Sequence, residues 1–420
     1  MLHQVQVHPA KRNNSKTEVF LWYPIFCVLF SAIFLFVTNT SYAQYATPKQ
    51  GEAVWSVAAI ETNDGGYLLL GGALDPTGSN LVDSWVLKMD ALGDIQWFDT
   101  YGGSKSEIAN AVAQTDDGGY IVAGYEYSPA TKLSDGWLVK LDAQGDELWQ
   151  KKYGGDNQDD LFNSVQQTGD GGYVLGGSSW PTSGGKSEGW VLKTDSTGSI
   201  LWQRTFGGRG DDHINVARQV PDGGYIVVGE TLALESGLKD GWVVRLNAEG
   251  NKQWEKVYGG KTDDSINAVW LTDDGGYIVA GATNSFGSGG DDMWLMKLSS
   301  TGETDWQTVY GGEEDDFAYS IQQTADGGYI VAGGTTSFGS AGDSWIIKLD
   351  PSGNATWHKT FGGEFYDTAT SIRETADGGY IVSGSSYSYS PDGVEQGKAF
   401  WVAKLDAKGD VVWYRTKWQA

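Results

Sequence analysis

The sequence predicts an all-β protein of seven similar units, and three observations support this. The tetrapeptide Asp-Gly-Gly-Tyr occurs seven times, at intervals of 51 to 53 residues. Its copies begin at Asp64, Asp117, Asp170, Asp222, Asp274, Asp326 and Asp377. Two tryptophans and one basic residue recur with the same period. A repeat of about 50 residues built of short strands and turns is typical of propellers, and seven copies fall within the ~4–8 blades of a closed ring. We therefore predict a seven-bladed β-propeller of four-stranded antiparallel blades.

Each unit is predicted to hold four strands, which we name A to D. Strand A precedes the Asp-Gly-Gly turn, as in Asn110–Thr115. The glycines supply the positive φ angles of a tight hairpin, and the Tyr-Ile-Val run after them is aromatic and β-branched. Because this run is continuously apolar, we expect strand B to be covered on both faces.

Strands C and D are marked by one tryptophan each. Strand C opens with Trp85, Trp137, Trp190, Trp242, Trp294, Trp345 and Trp401, and strand D contains Trp97, Trp149, Trp202, Trp254, Trp306, Trp357 and Trp413. A residue that recurs once per blade indicates packing between blades. Three positions after each strand C tryptophan stands a cation: Lys88, Lys140, Lys193, Arg245, Lys297, Lys348 or Lys404. We expect these cations to pair with carboxylates.

The first 43 residues differ from the repeats. Basic residues precede an apolar run from Val19 to Val37, and Ser41-Tyr42-Ala43 follows it. This order predicts a secretory signal peptide cleaved after Ala43. The alternative is an uncleaved membrane anchor, since the run is long enough to span a bilayer. Residues 44–420 would then form the propeller, with blades near 53–103, 104–155, 156–208, 209–260, 261–312, 313–363 and 364–420.

The composition excludes several function classes. The formal net charge is −25, so the surface repels nucleic acid and anionic membranes. The single cysteine, Cys27, lies within the predicted signal peptide, so the mature chain has no disulfide, thiol nucleophile or thiolate metal site. The mature histidines, His213 and His358, stand in no recognisable triad or metal-ligand spacing. No catalytic residue stands out.

Function is expected on one face of the ring. The A–B and C–D turns share a face that is short and repetitive, whereas the B–C and D–A loops share a variable face. We call these the turn face and the loop face. Ring closure is left open: blade 1 packs on blade 7, or residues 44–52 add a strand.

Acids recur in both kinds of loop on the loop face. In the D–A loops they are Glu107, Asp159, Asp212, Asp264, Asp316 and Asp367, and before strand C they are Asp83, Asp135, Glu188, Asp240, Asp292 and Asp343. One interpretation is that they cap loop N–H groups or pair with the strand C cations. The other is a ring of calcium sites, because calcium prefers several oxygen ligands. The predicted metal ligands are Asp159, Asp212, Asp264, Asp316 and Asp367.

Aromatic residues are the second feature of the loop face. The B–C loops are predicted to hold Tyr125, Tyr127, Trp180, Phe286, Phe338, Tyr387 and Tyr389. Aromatic rings and acids on one rim suit sugars, whose C–H faces stack and whose hydroxyls need acceptors. The alternative is that these rings pack under their own loops. Trp180, Tyr387 and Tyr389 depart most from the repeat and are the best candidates for ligand contact.

The repeat resembles known propeller families. Residues 141–149 resemble the tryptophan-docking motif of quinoprotein-like propellers, and residues 333–357 resemble a kelch repeat. The whole unit is most similar to the Asp-Gly-Gly-Tyr repeat propellers of secreted and surface proteins of bacteria and archaea. The resemblance implies the propeller fold and an extracellular, periplasmic or cell-surface location. We expect a monomeric binding module for a glycan or an extracellular protein. The alternatives are a calcium-stabilised structural protein and a carbohydrate-active or quinoprotein-like enzyme.

Overall fold

The computed structural model describes residues 54–74, 81–181, 185–208, 210–233, 238–339, 341–388 and 399–416. These ranges contain 28 β-strands and no α-helix, so they contain no helix able to cross a membrane. The predicted signal peptide and residues 44–52 lie outside them.

The strands fall into four classes that repeat in order along the chain. The A strands are β1 (Val54–Glu61), β5 (Ser106–Gln114), β9 (Gln158–Gln167), β13 (Asp212–Gln219), β17 (Asp264–Leu271), β21 (Asp316–Gln323) and β25 (Asp367–Glu374). The B strands are β2 (Tyr67–Leu74), β6 (Tyr120–Ser128), β10 (Tyr173–Pro181), β14 (Tyr225–Ala233), β18 (Tyr277–Thr283), β22 (Tyr329–Thr335) and β26 (Tyr380–Ser386). The C strands are β3 (Val82–Met89), β7 (Leu133–Leu141), β11 (Glu188–Thr194), β15 (Leu238–Leu246), β19 (Asp292–Leu298), β23 (Asp343–Leu349) and β27 (Ala399–Leu405). The D strands are β4 (Ile95–Tyr101), β8 (Glu147–Tyr153), β12 (Ile200–Phe206), β16 (Lys252–Tyr258), β20 (Thr304–Tyr310), β24 (Ala355–Phe361) and β28 (Val411–Thr416).

Four consecutive strands form each of seven antiparallel sheets, which confirms the predicted seven-bladed propeller. The A strands form the inner ring, because each contacts the A strands of both neighbouring blades. Asparagine side chains join some of them: Asn110 Nδ2 donates to the carbonyl of Phe162 at 2.9 Å, and Asn163 Nδ2 donates to that of Ile214 at 2.9 Å. The D strands lie outermost and alternate between exposed and half-buried residues.

The ring closes by packing blade 1 on blade 7. Each of these two blades has four strands of its own, so no strand is exchanged between them in the described ranges. Ser371 Oγ donates to the carbonyl of Ala59 at 3.1 Å, and the Glu61 carboxylate accepts from the N–H of Ala376. Of the two closures left open by the sequence, the packing of the two terminal blades is observed.

The Asp-Gly-Gly turn is held from inside its own blade, as blade 2 shows. Asp117 Oδ1 accepts from Gly119 N at 3.0 Å and from Lys140 Nζ at 3.0 Å. Gly118 has a φ of 81°, which favours glycine. At Gly119 a Cβ would collide with the Leu141 carbonyl and with Lys140 Nζ. The two glycines are therefore needed for different reasons, one for backbone conformation and one for space.

The strand C cation pairs with the turn aspartate in all seven blades, as predicted. The cationic side chain is 3–8% exposed, whereas its carboxylate partner is more than half exposed. The pairs are Lys88–Asp64, Lys140–Asp117, Lys193–Asp170, Arg245–Asp222, Lys297–Asp274, Lys348–Asp326 and Lys404–Asp377. This bond fastens strand C to the A–B turn at the turn face.

Tryptophans pack the blades together, which confirms their predicted role. The strand C tryptophans are at most 4% exposed. The strand D tryptophan of one blade contacts the tyrosine that begins strand B of the next, as in Trp97–Tyr120 with centroids 5.9 Å apart. The same indole lies beneath the C–D turn of that blade, where Gly145 leaves room for it. The B strands between these layers are buried along most of their length, as their apolar runs predict.

Candidate functional site

On the loop face, a strand C acid meets a strand A acid of the next blade between blades 4 and 5 and between blades 5 and 6. A Cβ built on Gly311 would touch both Asp292 and Asp316, and one on Gly259 would touch both Asp240 and Asp264. Burial raises the pKa of Asp292 to about 6, and the negative charge of Asp316 adds to the effect. Each pair therefore consists of one strand C carboxylate and one strand A carboxylate from the next blade.

In blades 2 to 7 the strand A acid of the loop face caps the D–A loop. Its carboxylate accepts the N–H of the second glycine of that loop at 2.7–3.1 Å in six blades. The capping residues are Glu107, Asp160, Asp212, Asp264, Asp316 and Asp367. In the described ranges no three histidine, aspartate or glutamate side chains are grouped closely enough to hold a metal ion. The geometry therefore supports the capping interpretation, and calcium binding stays a prediction.

Blade 3 differs from the spacing that the sequence suggests. Asp160, which is 1% exposed, takes the capping position there. The predicted ligand Asp159 instead accepts from Ser134 N at 2.9 Å through Oδ1. The capping aspartate of blade 3 stands five residues after the second glycine, Gly155, and not four as in the other five blades, so counting from the glycines selects the wrong one of two adjacent aspartates.

Five aromatic residues form a patch on the loop face of blades 6 and 7, which we call the aromatic patch. They are Phe317, Tyr319, Phe365, Tyr366 and Tyr387. Phe317 and Tyr319 stack with centroids 6.2 Å apart, and burial together with the neighbouring Tyr366 raises the pKa of Tyr319. The N–H of Tyr387 donates to the Tyr366 carbonyl at 3.0 Å. The side chains other than Phe317 are 37–43% exposed, so large apolar rings face solvent together.

Substitutions in the repeat produce this patch. Tyr319 occupies the strand A position that holds asparagine in blades 2 to 5, where the asparagine bonds to the next inner strand. Because β21 is an inner strand, Tyr319 borders the mouth of the central channel. Phe365 and Tyr366 lie in the D–A loop before β25, and Tyr387 lies in the B–C loop after β26. Of the five, the sequence analysis identified Tyr387 alone.

The other predicted ligand residues are more enclosed. Phe286 and Phe338 pack on the strand C tryptophans of their own blades, Trp294 and Trp345, at 5.8 and 5.1 Å. This is the packing alternative that the sequence left open. Tyr125, Tyr127 and Trp180 lie on strands and not in loops: the first two are half-buried on β6, and Trp180 is half-buried near the end of β10. Tyr389 lies outside the described residues.

Trp180 adjoins His213, whose surroundings do not match a catalytic triad. The Trp180 and His213 rings are 5.2 Å apart. Ser178 Oγ lies 3.2 Å from His213 Nδ1, and Ser187 Oγ lies 3.4 Å from Nε2. Both ring nitrogens thus face serine hydroxyls, whereas a triad needs a carboxylate on one of them. Burial lowers the pKa of His213, which favours a neutral ring that packs with Trp180.

A groove of about 610 Å³ between blades 1 and 2 contains an acid pair. Burial and the charge of Glu126 raise the pKa of Glu107 to about 7. Ion pairs with Lys105 and Lys152 hold the pKa of Glu126 below its ordinary value. The two carboxyls therefore differ: Glu107 holds its proton more tightly than an ordinary glutamate, and Glu126 releases its proton more readily.

Comparison with solved structures supports the fold and leaves the activity open. The chain is similar to a puromycin hydrolase mutant, with a TM-score of 0.52 and 12% identity over 86% of this chain and 54% of that one. It is also similar to the β-propeller domain of the Trilobed protease from Pyrococcus furiosus (TM-score 0.46, 9% identity, 86% and 98% covered). A third similar structure is Sqt1 from Chaetomium thermophilum (TM-score 0.46, 11% identity, 88% of each chain covered). No protein-family model and no curated protein sequence matches the chain.

Proposed function

We propose that this protein is a secreted or surface-exposed binding module whose loop face takes a glycan at the aromatic patch. The observation that supports this most is the exposure of Tyr319, Phe365, Tyr366 and Tyr387 on neighbouring loops and strands. Exposed aromatic clusters on a rigid scaffold are typical of binding sites. The location follows from the predicted signal peptide and from the resemblance to Asp-Gly-Gly-Tyr repeat propellers.

Sugar chemistry fits the patch better than an anionic ligand does. Aromatic faces stack against the C–H faces of sugar rings, and phenol hydroxyls donate to and accept from sugar hydroxyls. The patch is bordered by acidic loop residues: Glu313, Glu314 and Asp315 precede β21, and Glu364 precedes the Phe365–Tyr366 pair. In a chain with a formal net charge of −25, this border disfavours acidic polysaccharides. We therefore propose a neutral or amino-sugar oligosaccharide as the ligand.

The direct test is binding of the purified protein to a panel of immobilised neutral, amino and acidic glycans. We expect binding to a subset of the neutral or amino sugars, and we expect Tyr366→Ala to lose at least about tenfold in affinity. Tyr366→Phe separates stacking from hydrogen bonding, because it keeps the ring and removes the hydroxyl.

Leu148→Ala is the matched control, since Leu148 is an exposed apolar residue on the outer strand β8. Its affinity should equal that of the unchanged protein. Binding that survives in Tyr366→Ala, or no binding to any glycan, would contradict the proposal. The second result would leave an extracellular protein as the ligand of the loop face.

A further inference from the structure

Two arginines face each other across the central channel. Arg218 lies on inner strand β13 of blade 4, and Arg373 lies on inner strand β25 of blade 7. Their guanidinium carbons lie 4.6 and 5.5 Å from the ring centroid of Trp270, on β17 of blade 5. Blade 6 separates blade 7 from blade 5, so Arg373 reaches Trp270 from the channel side. Both cations therefore point into the channel and lie close to one indole ring.

Neither arginine has a carboxylate partner among the described residues. Arg373 Nη1 donates to Ser320 Oγ at 2.9 Å and to the Ile372 carbonyl at 2.6 Å. Arg218 Nε is buried and has no hydrogen-bond partner in the described part of the chain. In that same part, every ion pair involves other cations.

The nearest acids in sequence are engaged elsewhere. Glu374 follows Arg373 directly, but its carboxylate accepts from Ala325 N at 2.8 Å. Asp222, four residues after Arg218, pairs with Arg245. Burial lowers the pKa of Arg218 to about 9 and that of Arg373 to about 10, and the charge of Arg373 adds to the shift of Arg218. Two like charges in an enclosed space thus lack a counter-ion in a protein that has an excess of acids.

The same level of the channel carries further donors. Arg218, Trp270 and Arg373 each stand four residues before the turn aspartate, and Gln166 and Gln322 hold this position in blades 3 and 6. The Oε1 atoms of these glutamines accept from the N–H groups of the next inner strand at 2.8 and 2.9 Å. Their amide groups therefore add N–H donors, which have no acceptor among the contacts of the described residues.

We propose that the central channel binds a small oxyanion, held by Arg218 and Arg373 beside Trp270. Guanidinium groups bind carboxylate, sulfate or phosphate oxygens through paired N–H donors, and such charge-assisted bonds are strong where water is excluded. One anion would relieve the repulsion between the two cations and satisfy Arg218 Nε. The enclosed position selects a small molecule, and the acidic exterior disfavours polyanions. This site is separate from the aromatic patch and goes beyond the proposed glycan function.

The experiment is a calorimetric and thermal-unfolding titration of the whole protein with citrate, sulfate and phosphate, against sodium chloride at equal ionic strength. We expect at least one of the three to bind one equivalent and to raise the unfolding midpoint, because a ligand of the folded state stabilises it. Binding by phosphate or sulfate alone, or by citrate alone, identifies the type of oxyanion. The variants are Arg218→Gln, Arg373→Gln and both together, with Arg204→Gln as control.

Arg204 is the matched control because its guanidinium also lies over a tryptophan, Trp202 at 5.7 Å, but on the exposed strand β12. We expect each channel substitution to weaken binding at least about tenfold, and we expect Arg204→Gln to leave it unchanged. The single variants keep the test decisive if the double variant fails to fold. Equal anion shifts in the control and channel variants, or no shift in the unchanged protein, would overturn the proposal.

Discussion

Trp413, on the last strand of the chain, packs edge-on against Tyr67 at the start of the second strand, with ring centroids 5.6 Å apart and planes at 65°. The same contact joins neighbouring blades elsewhere, as in Trp202–Tyr225 and Trp357–Tyr380. The closing interface between blades 7 and 1 is therefore built like the others. Within the described residues, no exchanged strand contributes to this interface.

Trp413→Ala is expected to lower the free energy of unfolding by about 2–3 kcal/mol, because it removes a half-buried indole from the closing interface. The measurement is equilibrium denaturation in urea. Val412→Ala is the control, since Val412 is 62% exposed on the same strand, and it should change stability by no more than about 0.5 kcal/mol. Equal effects of the two substitutions would show that Trp413 does not hold the ring closed.

Asp326→Ala is expected to destabilise the protein by about 2–3 kcal/mol, because it leaves Lys348 buried without its carboxylate partner. The Lys348 side chain is 8% exposed and its Nζ lies 2.8 Å from Asp326. Asp410→Ala breaks the Lys359–Asp410 pair, which is exposed on both sides, and should cost about 0.5 kcal/mol or less.

Adding Lys348→Met to Asp326→Ala should recover most of the loss, because an apolar pair of similar volume replaces a buried cation. The free energies of unfolding of the single and double variants form a double-mutant cycle. A double variant that is less stable than Asp326→Ala alone would contradict the ion-pair explanation of the repeat.

The pH of maximum stability is expected near pH 4–5. The pKa of Glu107 is raised to about 7 and that of Asp292 to about 6, so the folded protein holds protons that the unfolded chain releases. Their contribution is fully present below the unfolded pKa values, about 4.5 for the glutamate and 3.8 for the aspartate, and is lost as the pH rises through 6–7.

The turn aspartates determine how the stability falls at pH values below this maximum. Asp64, Asp170, Asp274, Asp326 and Asp377 have a pKa lowered to about 2, chiefly by hydrogen bonds and ion pairs that outweigh their burial. Their contribution is present above about pH 3.8 and is lost as the pH falls towards 2. Thermal unfolding midpoints measured between pH 2 and 8 would show the loss of stability on both the acid and the alkaline side of the maximum. Glu107→Gln should flatten the slope between pH 5 and 7, and an unchanged slope would contradict the assignment.

Calcium is expected to have little effect on unfolding. The D–A carboxylates already accept backbone N–H groups, and calcium needs six to eight oxygen ligands. Thermal unfolding in millimolar calcium and in EDTA should give midpoints within about 1 °C of each other. Asp264→Ala should destabilise equally in both by about 2 kcal/mol, because it leaves Gly260 N, Thr283 and Ser285 without their shared acceptor. A calcium-dependent rise that Asp264→Ala abolishes would instead support the predicted metal sites.

The repeat reveals the fold from sequence because its signals are local or recur in every blade. The Asp-Gly-Gly turn, the buried cation of strand C and the two tryptophans follow from residue type and spacing. The aromatic patch was harder to predict, since Tyr319 and Tyr387 are 68 positions apart and meet through the D–A loop that carries Tyr366. Tyr319 departs from the repeat where other blades have asparagine, so comparing the units column by column would have indicated it.

The sequence analysis did not predict a role for Arg218 and Arg373, and the reason is different. In the sequence, each is an ordinary polar residue of a predicted strand, because the repeat pattern does not show which strand of a blade lies innermost. When strand A is known to be the inner strand, the position that both arginines share, four residues before the turn aspartate, places both charges in the channel. In blade 3, one extra residue between Gly155 and the capping acid shifts the capping role from Asp159 to Asp160, which a fixed count from the glycines does not detect.

The proposal of a glycan site on blades 6 and 7 is tested most directly by titrating the protein with the best-binding oligosaccharide in a calorimeter and comparing Tyr387→Ala with Trp180→Ala. Both residues are aromatic and lie at the loop face, but Tyr387 belongs to the aromatic patch, whereas Trp180 packs on His213. We expect Tyr387→Ala to weaken binding at least about tenfold and Trp180→Ala to change it less than about twofold. Loss of binding in Trp180→Ala with full affinity in Tyr387→Ala would place the site at blades 3 and 4 and contradict the account.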